Sequence, residues 1–203
     1  MVDALITPED ALAALGRPFL QHFRSAIDET RNDFAHFFAT LPSDWHVDWS
    51  DRTLAGVIHD RLWSHVTHDV EALEANIVVT DNGTTRTICI DDSVGLRVKR
   101  HSMDGQISGY RTRGSRDFYM GTLAGLEVEN LAIGYEWIPE TRSIGRAVLS
   151  KQKSTGAEPI WVIGVGEIDD GILHVPYEPI IPPQPEFDFS GIVAASAKDA
   201  ESS

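Results

Sequence analysis

Apolar side chains in the first third of the chain recur at steps of three and four residues, the spacing of an amphipathic helix. Thr7-Pro8 followed by two acidic residues is typical of a helix start, and Gly16 with Pro18 ends that helix. The pattern then predicts two longer helices, over about 19–40 and about 53–75. Their apolar positions are Phe19, Phe23, Ile27, Phe34, Phe38 and Leu41 in the first, and Leu54, Val57, Ile58, Leu62, Val66, Val70 and Leu73 in the second.

From residue 76 the apolar positions alternate instead, as they do in strands. Asn82-Gly83 is a strong hairpin signal between the first two strands. Short links between consecutive strands favour antiparallel pairing. The sequence therefore predicts an α+β fold in which N-terminal helices pack on an antiparallel β-meander of about seven strands, with partial closure into a barrel left open. The predicted strands are 77–80, 84–90, 94–101, 106–111, 129–137, 143–151 and 159–165.

One interval, 112–128, interrupts this meander. Ser115 could cap a short helix that continues to Met120, whereas the glycines of this interval suggest a mobile loop. Connections of this length inside compact domains are often functional.

The composition changes after Gly166, where prolines become frequent and the last residues are small and polar. We expect one domain over 1–166, with helices in 8–75 and the meander in 76–166. Residues 167–203 are expected to be a proline-rich acidic tail, largely extended or disordered, with 175–185 lying along the domain as a strap.

The net charge of −14 is unevenly distributed along the chain of 203 residues. Acidic residues dominate the helical part and the tail, while the middle of the chain is balanced. The single cysteine, Cys89, excludes an internal disulfide and favours a reducing compartment. No basic region followed by an apolar run begins the chain, and no stretch approaches the roughly 20 apolar residues of a membrane helix. We therefore expect a cytoplasmic protein that does not bind membranes.

A basic cluster lies within this balanced middle part. Alternation along 94–101 places Arg97 and Lys99 on one face of the strand. A hairpin at Asp104-Gly105 would bring Arg111 and Arg113 back beside them, with Arg116 close by. The predicted ligand-binding residues are Arg97, Lys99, Arg111, Arg113 and Arg116.

Crowded cations repel one another unless an anion or nearby carboxylates compensate, and the arginine fork suits phosphate and carboxylate groups. The pattern predicts a non-enzymatic binding or regulatory protein that recognises an anionic ligand, a nucleic acid or a protein partner. A solvated face paired with acids of the helical half is the structural alternative. Two other functional hypotheses are an enzyme acting on a phosphorylated or nucleic-acid substrate in a sheet cavity, and an acidic decoy of a nucleic-acid-binding protein.

Signals for catalysis or metal binding are weak. The chain has no G-x-S-x-G elbow, P-loop or dinucleotide-binding glycine pattern, so no catalytic residue and no cofactor is predicted. His65, His68 and Asp69 share a helix flank that His22 or His36 could complete, but the spacing matches no known zinc pattern, and no metal site is predicted. Cys89 is expected to be buried and inert.

Overall fold

In the part of the chain that the computed structural model describes, four helices pack with one open, mixed β-sheet, which confirms the α+β class. The helices are α1 (Pro8–Leu15), α2 (Arg17–Thr40), α3 (Asp51–Thr67) and α4 (Arg113–Met120). Six strands lie between residues 77 and 165, and a three-residue segment joins them at one edge. The structure describes residues 6–42, 48–73, 76–83, 85–109, 112–120, 128–166 and 174–176.

Side-chain caps explain where the N-terminal helices begin. The Thr7 hydroxyl accepts a hydrogen bond from the backbone N–H of Asp10 at the start of α1, and Ser50 accepts one from Thr53 at the start of α3. Gly16, with a φ of +72°, separates α1 from α2, a conformation that glycine adopts without strain.

The third helix is shorter than its apolar period predicts. It ends at Thr67, and Asp69 then adopts a left-handed backbone conformation before a 3-10 turn over Val70–Ala72. Val70 is nevertheless buried, so the apolar spacing continues beyond the end of the α-helix. The extension of this helix toward residue 75 was therefore wrong for Val70–Ala72, and residues 74–75 lie outside the described part of the chain.

The strands are β1 (Ile77–Asp81), β2 (Arg86–Ile90), β3 (Val94–His101), β4 (Glu129–Ile138), β5 (Ser143–Lys151), β6 (Trp161–Val165) and β7 (His174–Pro176). They lie in the sheet in the order in which they follow along the chain. Two edges, β1 and β7, remain, so the sheet is not closed into a barrel.

The pairing of β3 with β4 corrects the predicted antiparallel meander. These two strands run parallel, with Lys99 opposite Gly134, while the other neighbouring strands are antiparallel. The physical reason is the long connection between them, which carries α4. A parallel pair needs a crossover of this kind, because the chain must return to the end of the sheet where it started.

The predicted strand over 106–111 does not form in its described part. Ile107 makes only an isolated bridge to His101. The chain from Ser102 to Gln106 folds instead as a tight turn, in which the Asp104 carboxylate accepts a hydrogen bond from the Gln106 side chain at 2.8 Å. Residues 110 and 111 lie outside the described part of the chain.

The main core lies between one face of the sheet and helices α1 to α3. Leu96 and Val98 of β3 are buried there, as are Tyr135 and Trp137 of β4. A much smaller apolar cluster lies on the opposite face, where α4 packs; it comprises Ile107, Tyr119 and Ala132, with Phe118 beside them.

Three residues of the predicted tail belong to the sheet. His174–Pro176 pair antiparallel with β6. The rest of the predicted tail, 167–173 and 177–203, lies outside the described residues, and its predicted disorder stays a prediction. Among the described helices, none combines the length and the apolar character needed to span a membrane.

Candidate anion-binding site

A break in strand pairing occurs along one edge of β3. The register of β3 with β2 ends at the pair Leu96–Ile88. Further along the same strand, Ser108 donates its backbone N–H to the carbonyl oxygen of Arg100 at 3.3 Å, next to the bridge between His101 and Ile107. Residues 97–99 lie between these two contacts, where the structure has space for a cavity.

A cavity of about 440 Å³ opens at this position, and we call it the basic pocket. Helix α3, the turn between β1 and β2, strand β3 and the first turn of α4 all contribute to its wall. The side chains that give it its chemistry are His59, Asp60, Thr85, Arg86, Arg97, Lys99, Thr112, Ser115 and Thr155.

Arg97 is half-buried against an aromatic ring. Its guanidinium carbon lies 4.0 Å from the centroid of the Phe118 ring, and its Nη1 donates to the carbonyl oxygen of Gly114 at 3.4 Å. Its Nε atom is buried without a hydrogen-bond partner, and no carboxylate of the described residues pairs with it. Burial lowers the pKa of Arg97, which means that the charged form is poorly solvated.

Lys99 is also half-buried, and its ammonium group has neither a hydrogen bond nor an ion pair with any residue that the structure describes. Burial lowers the pKa of Lys99, and the nearby charge of Arg97 lowers it further. Two poorly solvated cations therefore face the same pocket.

The third base of the pocket, Arg86, is neutralised. It forms ion pairs with Asp60 at 2.5 Å and with Asp81 at 3.1 Å, and its guanidinium lies over the Trp63 ring. Burial lowers the pKa of His59, and the charges of Lys99 and Arg86 lower it further, so this imidazole is neutral at neutral pH.

The first turn of α4 supplies hydroxyl groups. Thr112 accepts the backbone N–H of Ser115 at 3.1 Å, which caps this end of the helix. The hydroxyls of Ser115 and Thr155 lie 2.6 Å apart. These three residues also line an adjoining cavity of about 400 Å³, together with the exposed Arg113 and Arg116.

The structure brings the predicted basic residues together by a different route from the predicted hairpin. Arg97 and Lys99 share the basic pocket, and Arg113 and Arg116 lie in the adjoining cavity because α4 packs across β3 and β4. Arg111 lies outside the described residues. Sequence reasoning missed His59, Arg86, Ser115 and Thr155, since they come from four separate segments and none carries a local motif.

The structural alternative, in which acids of the helices neutralise the bases, applies to Arg86 through Asp60. It does not apply to Arg97 or Lys99 among the described residues. Arg100, their neighbour in β3, points to the other face, where its Nη1 donates to the carbonyl oxygen of Asp51 at 3.4 Å.

Two of the histidines considered for metal binding, His65 and His22, have other partners. His65 lies between Glu29 and Asp33, with nitrogen–oxygen distances of 2.8 and 2.7 Å, and its hydrogen bond lowers the pKa of Asp33. His22 contacts the carbonyl oxygen of Val66 at 2.9 Å. No cluster of three or more metal-ligating side chains occurs in the described ranges.

Cys89 is half-buried rather than fully buried, and burial raises the pKa of its thiol. A raised thiol pKa reduces the fraction of the reactive thiolate.

The fold and the pocket together define an α+β protein with an open mixed sheet and a basic cavity at the edge of β3, beyond the point where its pairing with β2 ends. Comparison with known proteins gives no match for this chain, whether with protein-family models, with curated proteins or with solved structures.

Proposed function

We propose that this protein is a binding protein for a small anionic ligand, which it holds in the basic pocket between α3, β3 and α4. The observation that carries this proposal is the pair formed by Arg97 and Lys99. Both cations are half-buried in one cavity, and neither is paired with a carboxylate of the described residues.

The physical argument concerns the cost of this arrangement. Two like charges in a partly desolvated cavity destabilise the folded protein unless an opposite charge offsets them. A phosphate or carboxylate would supply that charge, and the planar guanidinium of Arg97 would bind it through paired hydrogen bonds. A bound anion would therefore stabilise the fold as well as occupy the pocket.

The size and lining of the pocket favour a small ligand. Its volume of about 440 Å³ lies in the range of small-molecule sites. The Thr112 hydroxyl can donate a hydrogen bond to an oxygen of an anion, and so can one of the Ser115 and Thr155 hydroxyls, since the other one donates within their pair. The net charge of −14 repels extended polyanions, whereas a small anion needs only the local field of the pocket.

Calorimetric titration with inorganic phosphate and with pyrophosphate at low ionic strength tests this proposal. The full chain should bind at least one of them, and the binding should weaken as salt is added. Arg97→Gln and Lys99→Met should each reduce affinity about tenfold or more, the range for a charged hydrogen bond of about 1.5–3 kcal/mol.

Arg100→Gln is the matched control, because it removes the same charge from the same strand on the opposite face. It should leave anion affinity nearly unchanged. If all three variants bind as the unmodified chain does, or if the unmodified chain binds neither anion, the proposal is wrong.

A short single-stranded oligonucleotide provides a separate arm for the nucleic-acid hypothesis. Oligonucleotide binding that depends on Arg113 and Arg116 but not on Lys99 would favour an extended partner on the exposed adjoining cavity. Under the present proposal, oligonucleotide binding is weaker than pyrophosphate binding.

A further inference from the structure

Lys99 differs from the other lysines of the chain in its surroundings. Lys151 is ion-paired with Glu129 at 2.5 Å, Lys153 is exposed, and Lys198 lies outside the described residues. Lys99 lines the basic pocket, where the charge that acts on it is that of a second cation, Arg97, rather than that of a carboxylate. Both features favour the neutral amine over the ammonium ion.

We propose that Lys99 captures a carbonyl compound in the basic pocket, forming a reversible imine with an aldehyde or ketone whose own carboxylate or phosphate is held by Arg97. This inference rests on the proposed anion-binding function and adds a ligand class to it: an anion that also carries a reactive carbonyl group.

The chemistry needs the lone pair of a neutral amine. A lysine that lies in a desolvated pocket beside another cation is activated in this way, and burial and Arg97 both lower the pKa of Lys99. The cavity gives a small carbonyl compound access to the amine, while Arg97 can orient it through its anionic group.

The steps balance without an oxidant or a reductant. The Lys99 nitrogen forms a bond to the carbonyl carbon, and a proton moves from nitrogen to the former carbonyl oxygen to give a carbinolamine. The carbon–oxygen bond then breaks: the oxygen takes the second proton that the nitrogen gives up as the carbon–nitrogen double bond forms, and it leaves as water. Addition of water reverses the sequence and returns the free lysine and the carbonyl compound.

His59 is positioned to assist these proton transfers. It lines the same cavity as Lys99, and burial lowers the pKa of its imidazole, so the ring is neutral and able to accept a proton.

Reductive trapping on the full chain tests the proposal. Sodium cyanoborohydride converts an imine to a stable secondary amine, and peptide mass mapping then shows which lysine carries it. The probes are pyruvate, which carries a carboxylate, and glycolaldehyde phosphate, which carries a phosphate; the comparison identifies the anionic group that the pocket prefers. Acetaldehyde is the neutral control.

Lys99 should be trapped severalfold faster than the exposed Lys153 with at least one anionic probe, and this preference should shrink with acetaldehyde. Arg97→Gln should reduce the preference while Lys99 remains in place. Lys99→Arg keeps the positive charge but cannot form an imine, so it should lose the selective trapping at this position.

The outcomes separate this inference from the anion-binding proposal. Trapping at Lys99 no faster than at Lys153, with phosphate binding intact, would overturn the imine and leave the binding function standing. Selective trapping that is equal for acetaldehyde and the anionic probes would overturn the role of Arg97. Absence of both phosphate binding and selective trapping would overturn the two proposals together.

Discussion

The two faces of the sheet differ in what they bury. The face under α1 to α3 carries a continuous apolar core, whereas the face under α4 has a small apolar cluster and several buried polar groups. Adjacent residues of β3 show the contrast, since Val98 is 2% exposed in the core and Lys99 lines the basic pocket on the other side. One face therefore supplies most of the hydrophobic stabilisation, and the other can carry unpaired charges.

Buried polar contacts near the pocket strengthen this comparison. His101 Nε2 lies 2.8 Å from the Ser150 hydroxyl, and the Gln152 side-chain amide donates to Ser150 at 2.8 Å and to the carbonyl oxygen of Gly105 at 3.0 Å. His101 Nδ1 and Gln152 Oε1 have no partner within the described residues. Such groups lower stability and are common at functional sites, where binding rather than packing determines the residue.

The largest loss of stability is expected where a core side chain is shortened and leaves a cavity, and the loss should differ between the two faces of the sheet. Leu62→Ala should lower the free energy of unfolding by about 3–5 kcal/mol, because Leu62 is enclosed by the main core. Ile107→Ala should cost about 2 kcal/mol, since the smaller cluster can relax more easily. Urea unfolding of both variants checks this order. Equal costs would show that the second face is packed as tightly as the first.

Acidification should lower the stability of the fold strongly, through a buried histidine on the face of the sheet that α4 covers. Burial lowers the pKa of His101 from 6.5 to about 4. As the pH falls through 6.5, the unfolded chain binds a proton that the folded protein does not, so the free energy of unfolding falls by about 3 kcal/mol toward pH 4.

The variant His101→Gln isolates this contribution from that of the carboxylates. Unfolding of the variant and of the unmodified chain should be followed over the same pH range. The variant should lose less stability on acidification between about pH 6.5 and 4. Parallel pH profiles would show that His101 becomes protonated in the folded protein without penalty.

The smallest effect on stability is expected at Arg113, which is exposed in the adjoining cavity. Arg113 is 90% exposed and pairs with Asp117 at 3.6 Å, one helical turn away. Arg113→Gln should change the free energy of unfolding by less than about 0.5 kcal/mol, because an exposed pair of this kind contributes little. It should also weaken phosphate binding less than Arg97→Gln does. Calorimetry and urea unfolding on the same preparation test both expectations, and a larger effect on either would move the centre of the site toward α4.

Local signals predicted most of the elements and two of the residues that line the basic pocket. The helix start at Thr7 and the alternation in β3 are properties of neighbouring residues, and both occur in the structure. The alternation also placed Arg97 and Lys99 away from Val98. Local signals did not predict where α3 ends, because the buried Val70 continues the apolar spacing beyond the end of the helix.

Local sequence signals could not predict the direction of β4 or the other residues that line the basic pocket. Whether β4 runs parallel to β3 depends on how α4 crosses the sheet, which is decided by packing between residues far apart in sequence. The same packing brings Thr112 and Ser115 of the α4 turn to Thr155, and it places His59 of α3 in the wall of the pocket.

The sequence by itself determined the α+β class, the strand faces and the two central cations, because periodicity and capping depend on residues within a few positions of each other. Only the tertiary structure decided which cations have a carboxylate partner and which share a cavity. The reason is that charge pairing and solvation depend on distances through space: Arg86 meets Asp60 across the fold, whereas among the described residues the charge that acts on Lys99 is that of a second cation, Arg97.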